Sequence, residues 1–279
     1  MPLSPTGEIV SAAAAAGRGV AAFNVIQLEH AEALVAGAER AGAPVVLQIS
    51  QNCVKYHGAL APIGLATLAV ARAAAVPVAV HLDHAEDADL VREAVALGFT
   101  SVMFDASTMD YADNVAATRA VAEHCHSRGV FVEAELGEVG GKDGVHAPGV
   151  RTDPDEAVSF VEATGVDALA VAVGSSHAML TRTAALDFDL IARLRAEVPV
   201  PLVLHGSSGV PDADLTTAVE AGMTKINIAT HLNKVFTEAV RAFLADNPST
   251  VDTRKYFKAG RDAVAAESAR LLAVLRATP

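Results

Sequence analysis

The stretch HLDHAEDAD, residues 81–89, gathers chemistry into a few positions. His81, Asp83 and His84 follow the apolar run PVAV of residues 77–80 and lead straight into a helix-like segment. Two more histidines stand in comparable places, His177 after DALAVAVGSS and His205 after PLVL. Imidazole is a common ligand for borderline metal ions. Three protein ligands with one open coordination position describe a catalytic zinc rather than a structural one. His84, His177 and His205 are therefore candidate metal ligands, with Asp83 beside them. His81 shares a strand face with Asp83 by the two-residue period, so it is expected either to orient a ligand or carboxylate or simply to pack.

Residues so far apart in sequence can meet only if the fold brings them together. Eight short apolar runs recur, each followed by a helix-length segment: residues 19–25, 44–50, 77–83, 101–107, 130–136, 167–176, 201–208 and 225–230. Their Val, Ile and Phe content suits strands. The Ala-, Leu- and Glu-rich stretches between them often end in glycine, as in ERAGAP and VALGFT, which reads as helix C-caps. Eight strands alternating with helices predict a (β/α)8 TIM barrel, an α/β fold occupying residues 1–279 as a single domain. An open doubly wound sheet is the alternative, but its first turn would carry G-x-G-x-x-G, which is missing. Additional terminal helices are expected at residues 11–16 and from about Arg261 to Arg276.

Barrel strands are expected to be apolar on both faces, so the informative residues are polar ones at their C-terminal ends, where barrel active sites form. Asn24, Gln48, Ser50, Asp83, His84, Asp105, Glu133, Glu135, His177, His205, Asn227 and Thr230 all sit at or near such ends. HGSSG, residues 205–209, and NIAT, residues 227–230, close the seventh and eighth strands, where barrels frequently bind phosphate with backbone N–H groups. Gly206, Ser207, Ser208, Asn227, Ile228, Ala229 and Thr230 are the candidates, and a turn with a helix cap is the plain alternative for the first segment. The segment GEVGGKDGVHAPGVRTDPDE after the fifth strand has five glycines and two prolines. It is too long for an ordinary βα turn and is expected to be a lid.

Composition narrows the function classes. The 279-residue chain carries net charge -12 with 21 basic residues in no long block, which argues against nucleic-acid and membrane partners. Two cysteines, Cys53 and Cys125, make no disulfide framework. Neither a basic leader nor an 18-residue apolar run is found, so a cytoplasmic protein is expected. His30, His124, His126 and His231 lie in helix-like segments as surface or packing residues, and His57 and His146 lie in connecting segments. Cys53 near Lys55 and His57 only imitates a nucleophile arrangement.

Taken together, AFN (22–24), HLDH (81–84), EAELGEVGG (133–141), VGSSH (173–177), PLVLHGSSG (201–209) and KINIAT (225–230) resemble the metal-dependent, class II fructose-bisphosphate aldolases, with the tagatose-bisphosphate aldolases as relatives. The resemblance spans nearly the whole chain. It implies a Zn2+ or similar divalent ion on His84, His177 and His205, a ketose 1,6-bisphosphate substrate, and a homo-oligomer, either dimer or tetramer. It makes Asp83 the carboxylate that exchanges a proton with the C4 oxygen. It puts Asp105 and Glu135 behind the ligands or at an alternative metal position. It implies that Gly206, Ser208, Asn227 and Thr230 surround the dihydroxyacetone-phosphate half with Na+ or K+ nearby, and that Asn24 and Ser50 line the substrate pocket.

Three departures stand out. Many relatives read G-G-x-E-D in the mobile loop, whereas this chain has GGKDG at 140–144, so Asp143 takes the glutamate's place. Ala178 replaces a glycine after the second ligand histidine, and Ala229 replaces Asn or Asp, as in tagatose-type members. The implied reaction is reversible cleavage of fructose 1,6-bisphosphate to dihydroxyacetone phosphate and glyceraldehyde 3-phosphate. The metal would act as Lewis acid and Asp143 would serve the carbon acid. Arg254, Lys258 and Arg261 are candidates for the distal phosphate, from this subunit or a neighbour. A Schiff-base route would need a lysine at the active rim. Lys225 is expected on the opposite face and Lys55 in a loop. A metal-dependent hydrolase is the remaining enzyme class these residues could serve.

Overall fold

The computed structural model describes residues 2–136, 151–177 and 179–277. Asp143, His146, Ala178 and the whole GGKDG segment lie outside them. Among the described residues, eight parallel strands close into a barrel in chain order. They are β1 (Val20–Asn24), β2 (Val45–Ser50), β3 (Val78–Ala85), β4 (Ser101–Phe104), β5 (Phe131–Glu135), β6 (Ala168–Ala170), β7 (Leu202–Leu204) and β8 (Met223–Ile228). The helices among these residues are α1 (Thr6–Ala15), α2 (Leu28–Ala41), α3 (Gln51–His57), α4 (Leu60–Ala73), α5 (Ala88–Leu97), α6 (Tyr111–His126), α7 (Pro154–Thr164), α8 (Phe188–Glu197), α9 (Asp212–Ala221), α10 (Thr230–Asp246) and α11 (Thr253–Val274). The expected (β/α)8 barrel is the observed fold. No single described helix is long and apolar enough to cross a membrane.

Local chemistry sets the helix ends. The carboxylates of Asp87, Asp153, Asp187 and Asp252 accept backbone N–H bonds at the starts of α5, α7, α8 and α11. Gly42 and Gly98 take the left-handed conformation after α2 and α5, as ERAGAP and VALGFT suggested. The outward side chains of the strands join the helices in one continuous apolar core. Inside the barrel a different layering holds. α1 closes its N-terminal end, where Ile9 and Ala13 pack against Val20, Ala22, Val46 and Ala79.

Several expectations need correction. The inner face is not apolar throughout, because His81, Ser101, Glu133, Lys225 and Asn227 are all buried within it. Side chains two apart on a strand share a face, so a polar rim continues downward as a polar interior. β8 begins at Met223, which makes Lys225 its third residue rather than its first. Lys55 and His57 belong to α3, not to a loop, because Ser50 caps a helix there by accepting the Cys53 N–H. α1 starts earlier than residue 11, and α11 begins at Thr253, so Arg254, Lys258 and Arg261 share one helix. β6 and β7 are short, leaving Ser175, Ser176 and His177 on the loop after β6.

His30 packs inside rather than at the surface. It is 7% exposed, stands edge-on to Phe236 and accepts the Ile26 N–H at Nδ1. Burial lowers its pKa from 6.5 to about 4. The neutral ring is the one the fold accommodates, so its contribution is complete above the unfolded pKa and is lost as pH falls from 6.5 towards 4. In urea denaturation, moving from pH 7 to pH 5 is expected to cost the wild type about 1 to 2 kcal/mol more than His30→Gln, which does not titrate. Equal losses would remove His30 as the cause.

Candidate metal centre

Strand alternation would send Asp83 and His84 to opposite sides of β3. A bulge prevents this. The β3–β4 register shifts between Leu82 and Ala85, and His84 adopts φ 48°, in the left-handed region. That conformation costs a side chain with a Cβ about 1 kcal/mol or more, a strain typical of functional positions. Its effect is that both successive side chains line the same cavity.

His205 follows β7 directly. Gly206, at φ 67°, then turns the chain into the short 3-10 helix Ser207–Gly209. A Cβ on Gly206 would lie 2.6 Å from the carbonyl carbon and oxygen of Ser176. Glycine thus lets the loop after β7 press against the loop that carries His177. The rings of His84, His177 and His205 meet edge to face, with centroids 4.6 to 5.6 Å apart. One nitrogen from each lies within 4.8 Å of the others.

The protons on these rings decide what the cluster can hold. His205 is fully buried; desolvation first, then His84, keep its pKa well below the ordinary value, so the ring is neutral. A neutral imidazole offers one N–H and one lone pair. Glu133 Oε1 accepts from His205 Nε2 at 2.9 Å, and Asp105 Oδ2 accepts from His84 Nδ1 at 2.8 Å. In the tautomers that donate to these carboxylates, lone pairs fall on His205 Nδ1 and His84 Nε2, 2.9 Å apart. Two lone pairs cannot bond each other. A cation between them, with His177 as third ligand, resolves the repulsion, so the donor set fits a divalent metal. His84, Asp105 and Glu135 form a second group within 4.8 Å that shares one histidine with the first.

Asp83 is held from one side only. Gln48 Nε2 donates to Asn24 Oδ1 at 2.7 Å, and Asn24 Nδ2 lies 3.5 Å from Asp83 Oδ2. Asp83 Oδ1 is buried without a hydrogen-bond partner among the described residues. The site cavity measures about 310 Å³. Asn24, Ser50, Asp83, His84, His177, Gly206, Ser208, Asn227, Ala229 and Thr230 line it, all of them candidates from the sequence. On its β8 side, Ser208 Oγ accepts the N–H groups of Ala229 and His231, each at 3.2 Å, where α10 begins.

Other candidates lie elsewhere. Ile228 packs in the core between strands and helices, and the Ser207 hydroxyl donates to Leu204 O. Arg254 pairs with Asp252, Lys258 with Asp262 and Arg261 with Glu32, and none of the three lines the cavity. His81 bonds Ser101 at 2.8 Å and not Asp83, because Ser101 is its register partner on β4. The thiol of Cys53 is buried against Val25 O, and burial pushes its pKa up to about 11, which suits no nucleophile.

Gln51, Asn52 and Glu86 also line the cavity without having been singled out, and so does Lys55, expected in a loop because α3 went unrecognised. In the sequence Glu133 counts among the polar strand residues and Lys225 is set aside as a Schiff-base lysine, and their pairing is not apparent. Lys225 Nζ stands 2.8 Å from Glu133 Oε2 and donates to Asn227 Oδ1 at 2.8 Å. The inward position of both was detectable from the two-residue period, Glu133 with Glu135 and Lys225 with Asn227.

A closed α/β barrel with three converging imidazoles and a half-held carboxylate at its C-terminal rim is the architecture of a metal-dependent barrel enzyme. Residues 4–278 match the family model for class II fructose-bisphosphate aldolases, and the chain belongs to that family of carbon–carbon lyases. It is similar to the YdjI aldolase of Escherichia coli K12, at 31% identity and TM-score 0.84, covering 99% of this chain and 98% of that one. A protein assigned as a fructose-1,6-bisphosphate aldolase from Coccidioides immitis superposes with TM-score 0.87 at 27% identity, covering 98% and 96%. The fold is shared with fructose-bisphosphate aldolase of Campylobacter jejuni, at 22% identity and TM-score 0.80 over 97% and 94% of the two chains.

Gly206→Ala would force Ser176 away and disturb His205 and His177 together. It is expected to lower the thermal midpoint by several degrees and to weaken Zn2+ binding measured by chelator competition. Unchanged Zn2+ affinity would show that the contact between these loops does not set the cluster.

Proposed function

We propose that this enzyme carries out zinc-dependent, reversible aldol cleavage of fructose 1,6-bisphosphate to dihydroxyacetone phosphate and glyceraldehyde 3-phosphate. The observation that carries the reading is Asp83. Its Oδ2 faces Asn24, its Oδ1 has no hydrogen-bond partner among the described residues, and the residue lines the cavity together with His84 and His177. His84, His177 and His205 would hold the Zn2+, which when bound supplies Lewis-acid polarisation of the substrate carbonyl.

Asp83 Oδ1 takes the C4 hydroxyl proton in cleavage and returns it to the aldehyde oxygen in condensation. Asn24, fixed by Gln48, keeps that carboxylate aimed. Gly206, Ser208, Asn227, Ala229 and Thr230 receive the C1 phosphate, using backbone N–H groups and hydroxyls where α10 begins, with Na+ or K+ alongside. Asp143 protonates the carbon left behind in cleavage and removes its proton in synthesis.

Lys55 is the lysine lining the cavity among the described residues. It supplies positive charge on the α3 side for the second phosphate. Arg254, Lys258 and Arg261 add to it from a neighbouring copy in a dimer or tetramer. A cytoplasmic setting suits the two free, buried thiols. Tagatose 1,6-bisphosphate, which differs at C4, is the second reading, favoured by Ala229 at the cavity wall.

Metal-reconstituted enzyme is expected to convert one of the two bisphosphates to both trioses. Chelator should abolish the reaction and Zn2+ restore it. Release of inorganic phosphate without trioses would instead indicate a hydrolase. Asp83→Asn is expected to lower kcat by about 10² to 10⁴ while Zn2+ stays bound. Asp143→Asn should stop deuterium exchange into dihydroxyacetone phosphate, and undiminished exchange would reject Asp143.

A further inference from the structure

The barrel contains a charged bridge that the reaction itself does not use. Lys225 starts low in the barrel, since its β8 position pairs with Val20 of β1, in the layer closed by α1. Its side chain nevertheless reaches Glu133 on β5, three strands away around the closed sheet. Both side chains are essentially without solvent contact, at 1% and 0% exposure. The small inward residues Ala168 and Ala170 of β6, which lies between β5 and β7, leave room across the interior. Barrel interiors are ordinarily filled by branched apolar side chains. Burying a charge pair instead costs several kcal/mol per ion before pairing offsets it.

The contacts show what the bridge organises. Glu133 divides its two oxygens, Oε2 to the Lys225 ammonium and Oε1 to Nε2 of His205, at 2.8 and 2.9 Å. The same ammonium also holds Asn227 Oδ1 at 2.8 Å. Lys225 is not among the residues that line the cavity. It pairs with Glu133, which accepts from His205.

We infer that Lys225 is a positioning residue for the metal centre: by holding Glu133 it fixes the ring of His205 and thereby sets the affinity for the divalent ion. This rests on the three-histidine reading of the site. Carboxylates behind metal-bound histidines typically contribute 10- to 100-fold in affinity. Lys225 extends that support by one more residue.

The test is Zn2+ affinity of the full-length protein, by chelator competition, together with the absorption spectrum of the Co2+-substituted form. Lys225→Met and Glu133→Gln are each expected to weaken Zn2+ binding 10- to 100-fold and to alter the Co2+ spectrum. Because Lys225 acts through Glu133, adding Lys225→Met to Glu133→Gln should weaken binding no further than about 2-fold. A wild-type affinity and spectrum in folded Lys225→Met would overturn the inference, whatever happens to its thermal midpoint. If Lys225→Met does not fold, Glu133→Gln alone decides, and unchanged Zn2+ affinity there overturns it. A wild-type protein that binds no Zn2+ would instead overturn the three-histidine reading.

Discussion

Two neutral imidazoles with their lone pairs turned towards each other across 2.9 Å repel unless something positive lies between them. The surrounding groups create that situation. Asp105 accepts from His84 Nδ1 and Glu133 from His205 Nε2, and in those tautomers neither histidine donates to the other. Burial makes protonation of His205 costly. The fold thus favours a metal ion at this point over the alternatives that water and protons would provide elsewhere.

Much of the local structure serves that arrangement. The left-handed His84 allows the adjacent residues Asp83 and His84 to line one cavity, which a regular strand could not do. Gly206 brings together two loops that follow different strands. Asn24 and Gln48 hold Asp83 by one oxygen and leave the other open. Each is a small departure from ideal strand or turn geometry at the rim, carried on a regular scaffold of parallel strands.

The fold was legible because barrel strands announce themselves by composition and recur with helices between them. The histidines were legible for a similar reason: His84 and His205 end or follow apolar runs closely. What escaped notice was governed by side-chain reach. Lys225 looked remote because its backbone is low in β8, yet its long side chain climbs to Glu133. α3 escaped because a seven-residue helix capped by Ser50 has too little periodicity to distinguish it from a loop, and Gln51, Asn52 and Lys55 went with it. Arg254, Lys258 and Arg261 read as phosphate ligands by type, but each has an acidic neighbour in the folded chain.

The helix beneath the barrel gives the active face a floor. Ile9 and Ala13 seal the far opening, and the Thr6 hydroxyl donates to Ser101, which in turn meets His81 at mid-barrel. Base and mid-barrel are therefore joined through a buried column of hydrogen bonds. Damage to α1, remote from every cavity residue, would admit water from below, and the electrostatics above would weaken with all the ligands still in place.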